Sequence, residues 1–230
     1  MKVLALDTAT EACSAALLLG GDVYQRYEVL GRGHAERLLP MVDELLVEAA
    51  TTLSALDGIA FGRGPGAFTG VRIAISLAQG LALGTGLPLV PISDLRALGA
   101  AALTYTPADY ALVCLDARMG EVYWGLARRA AGIECELIAE GLAAPHAVPA
   151  PPAGATVVAA GHGWSAYPTL DERFAAALLA RWPELLPDAA TIARLACHEL
   201  KAGRTVAAVD AEPVYLRNDV ATRSSRRPGT

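Results

Sequence analysis

The sequence predicts an α/β protein built from two similar lobes, and three observations carry that prediction. After an opening meander, short apolar strands alternate with amphipathic helical stretches, in the order βββαβαβα through the first half. The second half opens as the first does. Val3-Leu4-Ala5-Leu6-Asp7 and Leu112-Val113-Cys114-Leu115-Asp116 are apolar runs ending in Asp, with Asp7 and Asp116 set 109 residues apart. Each run is followed by a short turn and a second apolar strand, which suggests an internal duplication. Finally, 53% hydrophobic and 19% charged residues in a chain of 230 supply a core for one large or two small domains. The expected division is a first lobe over residues 1–103, a second over 104–216, and a basic tail, expected to be disordered, over 217–230.

The elements follow in order. Residues 2–6 read as a short buried strand and 12–19 as a second. Gly20-Gly21-Asp22 is a hairpin turn signal, and 23–29 alternate as a third strand. Leu38, Leu39, Met41, Val42, Leu45, Leu46 and Ala49 recur at helical spacing. Pro40 sits among them, so the helix either starts near it or kinks there, because an interior proline costs about 3 kcal/mol. A fourth strand covers 57–62. The glycine-rich turn from Gly62 to Gly70 leads into a helix over 71–83, a strand over 87–91, and a helix that Ser93 or Asp94 caps and that runs to about 103. In the second half, strands over 121–127 and 133–140 follow the run ending in Asp116. A Pro/Ala-rich loop spans 145–152 and a strand 157–160. Helices are expected over 171–181 and 189–202, the last stopped by Gly203.

Composition excludes several classes. A net charge of −5 disfavours direct binding of nucleic acid by this chain alone, and only the stretch from Arg217 to Arg227 is locally basic. The most apolar stretch, 73–89, is broken by Ser76, Gln79, Gly80, Gly84, Thr85 and Gly86, so no membrane span is expected. The first ten residues are too short an apolar run, and too acidic, for a secretory signal, and a cytoplasmic location is expected. Cys13, Cys114, Cys135 and Cys197 form no CxxC pattern and read as reduced core residues.

Candidate sites are few. Asp7, Thr8 and Thr10 lie where a strand ends in a tight turn, a place that can hold a phosphate or a metal-bound water. Asp7 and Asp116 also resemble the acidic pair of a nuclease, which would need a further carboxylate such as Asp57 or Asp94 to converge on them. The plainer alternative is that each Asp satisfies its own turn. The glycine loop lacks the Lys of a phosphate loop, and Pro65 removes a useful N–H, so it reads as a rigid turn that positions the next helix. His34 has Leu38 rather than a second His one turn on, and one His does not make a metal site. Cys197 and His198 are helix neighbours that do not face each other. No catalytic set emerges.

The helix after the glycine loop is the most informative element. Val71, Ile73, Ala74, Ile75, Leu77, Ala78, Leu81, Ala82 and Leu83 cover almost its whole circumference, whereas a helix on a sheet needs one apolar stripe. The surplus must be covered by the second lobe or by another subunit. An inter-subunit face would draw on Leu38, Leu39, Val42, Leu45 and Leu46 of the first helix and on Val71, Ile73, Ala74, Leu77, Ala78 and Leu81 of the second.

Gly64-Pro65-Gly66-Ala67-Phe68-Thr69-Gly70-Val71-Arg72 closely resembles the GPGSFTGVR signature of the TsaB family, also called YeaZ, with Ala67 where Ser is common. Leu6-Asp7-Thr8-Ala9-Thr10, the stretch from His34 to Met41, that from Asp116 to Tyr123, and Pro213-Val214-Tyr215-Leu216-Arg217 fit in order. The resemblance spans the whole chain and is least characteristic between about 145 and 190. It implies the fold shared by actin, sugar kinases and heat-shock ATPases, with two RNase H-like lobes of mixed sheets flanked by helices. It implies a non-catalytic subunit that dimerises with the paralogue TsaD for threonylcarbamoylation of adenosine 37 in tRNA. TsaE would join that pair, TsaC would supply the adenylate, and tRNA would be met only through the complex. A homodimer is the expected form of the chain alone, if it self-associates. TsaD binds its metal through two His on a helix. Here His34 and Leu38 stand at those places, so metal binding and catalysis are expected to be absent. No tightly bound cofactor is implied, ATP or ADP at the subunit interface being the one candidate. The competing reading is an active ATPase or phosphotransferase of the same fold.

Overall fold

The computed structural model describes residues 1–130 and 133–217. The basic tail expected beyond Arg217 lies outside the described residues. Two five-stranded mixed sheets share one plan. In the first, β1 (Lys2–Asp7) pairs antiparallel with β2 (Ala12–Leu19), which pairs with β3 (Asp22–Val29). On its other side β1 runs parallel to β4 (Gly58–Gly62), and β4 to β5 (Leu89–Ile92), giving the order β3-β2-β1-β4-β5. In the second sheet, β6 (Tyr110–Asp116) takes the place of β1. It is antiparallel to β7 (Val122–Ala130), which pairs with β8 (Ile133–Ala143), and parallel to β9 (Val157–Ala160), with β10 (Leu178–Trp182) at the edge. Asp7 and Asp116 end the two equivalent strands, so the echo seen in the sequence is an echo of topology.

The period-two pattern of the strands assigns the layers. Leu4, Leu6, Ala15, Leu17, Ile59 and Phe61 face α1 (His34–Glu48) and α2 (Phe68–Thr85). Val3, Ala5, Ala16, Ala60 and Val90 face the other way, into a central core shared with Val113, Leu115, Val158 and Ala160 of the second sheet. Two helices fill that middle layer, α3 (Asp94–Thr104) and α6 (Ala189–Lys201). They exchange lobes. α3, which the sequence places in the first lobe, lies against β6, β7 and β8, and α6 packs on β1, β2 and β4. Each lobe is therefore closed by a helix from the other half of the chain. Ser93 Oγ accepts the Arg96 N–H and Asp188 Oδ1 the Thr191 N–H, capping both helices as side-chain caps should.

Two expectations are corrected. The helix α1 starts at His34 and runs through Pro40, because the ring projects into solvent and the missing N–H leaves only an exposed turn short of one bond. Residues 171–181 do not form one helix. A short α5 (Thr169–Phe174) ends there, and Leu178–Trp182 becomes β10, parallel to β9. Leu178-Leu179-Ala180-Arg181-Trp182 is a passable helix former. Pairing with the open edge of β9, with Leu178 and Ala180 turned to the core, outweighs local propensity. Among the described residues, no helix is long and apolar enough to cross a membrane.

Candidate functional site

The first candidate is the outer face of α1 and α2. Much of α2 is covered by the chain itself, while Gly80, Leu83 and Gly84 toward its C-terminal end stay exposed. Val71, Ala74, Ile75, Ala78 and Ala82 are buried against the first sheet and its neighbours. One flank is closed by the C-terminal segment, whose Val206 pairs with Leu89 and whose Ala208 and Ala211 carbonyls accept hydrogen bonds from Gln79 at 2.9 and 3.1 Å. At the N-terminal end of α2, Tyr215 of the same segment stacks on Phe68. What remains open is a groove of about 440 Å³ between the helices, lined by Ala35, Leu38 and Leu39 of α1 and by Phe68, Thr69, Arg72, Ile73, Ser76 and Leu77 of α2.

The predicted interface set divides accordingly. Leu38, Val42, Leu45, Val71, Ala74 and Ala78 are at most 2% exposed in this chain alone. They are the one stripe that each helix needs for its own sheet, and of them Leu38 alone also lines the groove. Leu39, Leu46, Ile73, Leu77 and Leu81 keep solvent exposure, and Leu39, Ile73 and Leu77 line the groove. Sequence reasoning missed Phe68, 62% exposed, and Arg72. The signal for Phe68 was an aromatic residue in a turn, where nothing in the chain requires one.

The glycine loop seats α2. Thr8 Oγ1 donates to the Gly70 carbonyl at 2.7 Å, and the Ala67 N–H donates to the Ala9 carbonyl at 2.7 Å, so the β1–β2 turn and the start of α2 lie backbone to backbone. A Cβ at Gly66 would sit on the Ala9 oxygen, and one at Gly70 on the Thr8 oxygen. These glycines serve close approach, not phosphate contact.

Asp7, Thr8 and Thr10 are consumed by the same joint. Thr10 Oγ1 accepts the Ala12 N–H at 3.2 Å and Asp7 Oδ1 the Ala9 N–H at 2.9 Å. Of the further carboxylates, Asp94 converges on Asp7 and Asp57 does not; Asp57 accepts the Lys2 N–H at the far end of β1. Asp7 and Asp94 are both fully buried side by side, Asp94 Oδ2 accepts the Gly64 N–H at 2.5 Å, and Asp7 Oδ2 and Asp94 Oδ1 have no hydrogen-bond partner among the described residues. Burial raises both carboxyls, and the Asp7 charge raises Asp94 further, so the pair shares one proton. Asp116 is separate. It accepts the Arg118 N–H and the Tyr167 hydroxyl at 2.8 and 2.9 Å, in the turn after β6.

The shared proton has a pH consequence. The unfolded chain releases it near 3.8 and the native pair only at a higher pH. The folded state therefore binds more protons in that interval, and stability falls as the pH rises through it. Asp94→Asn keeps a donor for Asp7 and an acceptor for Gly64 without a titrating group. It is expected to be more stable than the parent at pH 8 by about 1–2 kcal/mol, with no gain at pH 4.5. Chemical denaturation at both pH values checks this, and a gain of equal size at both would refute the shared proton.

The second candidate is a cleft of about 740 Å³ between the lobes. The β1–β2 turn (Thr10, Glu11), the glycine loop, the β6–β7 turn (Asp116, Arg118) and His162 form its walls, and the C-terminal segment crosses it. Val214 N–H donates to the Arg63 carbonyl at 2.8 Å, Tyr215 stacks on Phe68 with centroids 5.8 Å apart, and Arg217 reaches the Ala117 carbonyl and Glu121 across the gap. His162 accepts the Asp116 N–H on Nδ1 and has Nε2 3.8 Å from Glu11 of the facing lobe. Among the described residues, no group of three or more His, Cys, Asp or Glu is arranged to hold a metal ion.

Comparison with known proteins bears on both candidates. A family model described as TsaD, tRNA N6-adenosine threonylcarbamoyltransferase, matches residues 27–225. The tRNA threonylcarbamoyladenosine biosynthesis protein TsaB of Escherichia coli K12 is 44% identical over 225 residues, 96% of either chain. Its Haemophilus influenzae counterpart is 39% identical over 228 residues, 96% of this chain and 95% of the other. The structure of YeaZ from Pseudomonas aeruginosa superposes with a TM-score of 0.85 at 44% identity, covering 94% of this chain and 99% of that one.

Proposed function

The chain belongs to the TsaB (YeaZ) family, and from that footing we propose that it is a non-catalytic subunit of tRNA threonylcarbamoyladenosine synthesis, docking on the paralogous transferase TsaD. TsaE and TsaC act with that pair, and tRNA meets the chain only through the complex. One observation carries the reading: α1 and α2 leave a preformed apolar groove open between them, lined by Leu39, Phe68, Ile73 and Leu77. Monomeric proteins seldom leave such a face uncovered. The metal-ligand position of the transferase gives second support, since Leu38 stands there, 0% exposed in the first lobe's core.

The alternative of an active ATPase has less to stand on. The Asp7 carboxyl and the Thr8 hydroxyl, which would face a nucleotide phosphate, are bound to backbone groups of the joint that seats α2. Light scattering on a sizing column, with the protein mixed with TsaD of the same organism, tests the proposal. A stable mixed species is expected. Two separate peaks at micromolar concentration, or ATP turnover by the isolated chain, would overturn it.

A further inference from the structure

We propose that Arg72 is the charge anchor of the α1–α2 face and pairs with a carboxylate presented by the paralogous subunit. The inference rests on the docking role above and adds the chemistry by which the partner is recognised: one acidic side chain set among apolar ones. Arg72 lines the groove beside Ile73 and Leu77. Its guanidinium carbon lies 3.4 Å from the centroid of the Phe68 ring and 4.8 Å from that of Tyr215, and Nη1 donates to the Phe68 carbonyl at 3.1 Å. Stacking and that one hydrogen bond fix the plane of the group in advance. A guanidinium has five N–H donors, and the contact uses one.

Several other arginines of the fold have carboxylate partners, Arg26 with Glu44, Arg37 with Glu28, Arg63 with Glu140 and Arg217 with Glu121, while Arg129 and Arg173 spend their donors on backbone carbonyls. Arg72 has none among the described residues, in a chain with 24 acidic and 19 basic side chains. A rigid, partly desolvated guanidinium on an apolar face, with its donor edge unused, is the arrangement that a bidentate carboxylate completes. The paralogue, not a second copy, is the occupant that charge favours. Self-pairing would bring two chains at −5 together against their mutual repulsion.

The test is a titration of the paralogous subunit with Arg72→Gln, Arg72→Lys and Arg72→Glu at low and high salt, each variant first checked for an unchanged melting temperature. Arg72→Gln is expected to bind about 10- to 50-fold more weakly with a flatter salt dependence, Arg72→Glu more than about 100-fold more weakly, and Arg72→Lys in between. A scan of Asp and Glu to Arg on the paralogue should find one reversal that restores at least about tenfold to Arg72→Glu, which lost ring packing alone does not predict. Unchanged affinity in Arg72→Glu, a loss confined to self-association, or a scan with no restoring partner would overturn the inference. The docking role itself fails separately, in the absence of any complex with the unsubstituted chain.

Discussion

Ser76→Arg is expected to abolish association with the paralogous subunit at micromolar concentration while moving the melting temperature by no more than about 2 °C. Ser76 is exposed on α2, faces the groove and contributes nothing to the first lobe's core. A partner helix seated there must come close, and an added guanidinium would either block it sterically or be buried unpaired. Either outcome exceeds about 2.7 kcal/mol, a loss of more than 100-fold in affinity. Leu77→Glu, one residue on, is expected to act in the same direction. Ala74→Glu and Ala78→Glu are different experiments, because both side chains are fully buried against the sheet and their loss of binding would report unfolding. Sizing-column light scattering paired with thermal melts distinguishes the cases. Native-like association of Ser76→Arg would place the docking surface elsewhere.

The largest loss of stability is expected from the glycine loop. Gly66→Ala and Gly70→Ala each direct a methyl group at a carbonyl oxygen of the β1–β2 turn, Ala9 and Thr8 respectively. Neither oxygen belongs to a flexible side chain. The Ala9 carbonyl accepts the Ala67 N–H, and Thr8 is tied to the same helix by its hydroxyl, which donates to the Gly70 carbonyl. Relief therefore requires α2 to move off the sheet, which separates Val71 and Ala74 from Leu6 and Phe61. Each substitution is expected to cost about 3 kcal/mol or more, measured by urea denaturation. A cost within about 0.5 kcal/mol, as at an ordinary surface site, would show that the joint is plastic and that α2 is not rigidly seated.

Much of the fold was legible in the chain because its signals are local. Strands buried on both faces read as unbroken apolar runs in β1 and β6, the hairpin turn stands as Gly20-Gly21, and α1 and α6 carry their apolar stripes in sequence. The repeat was visible because both copies end in Asp. The surplus of apolar residues on α2, and the glycine signature ahead of it, pointed to the face where the α1–α2 groove lies.

What the chain could not disclose depends on neighbours distant in sequence. Helical periodicity marks which residues of α1 and α2 are apolar, and it is silent on whether sheet, C-terminal segment or partner covers each of them. Six predicted interface positions are therefore core, and Phe68 and Arg72 emerge only once Tyr215 is seen stacked beside them. The exchange of α3 and α6 between lobes, the strand at Leu178–Trp182, and the meeting of Asp7 with Asp94 are of the same kind. By itself the sequence determined the elements, their repeat and the apolar excess on α2, because propensity and pattern are written residue by residue. Tertiary structure alone decided which of those side chains stay exposed, because burial is a property of what the rest of the chain has already covered.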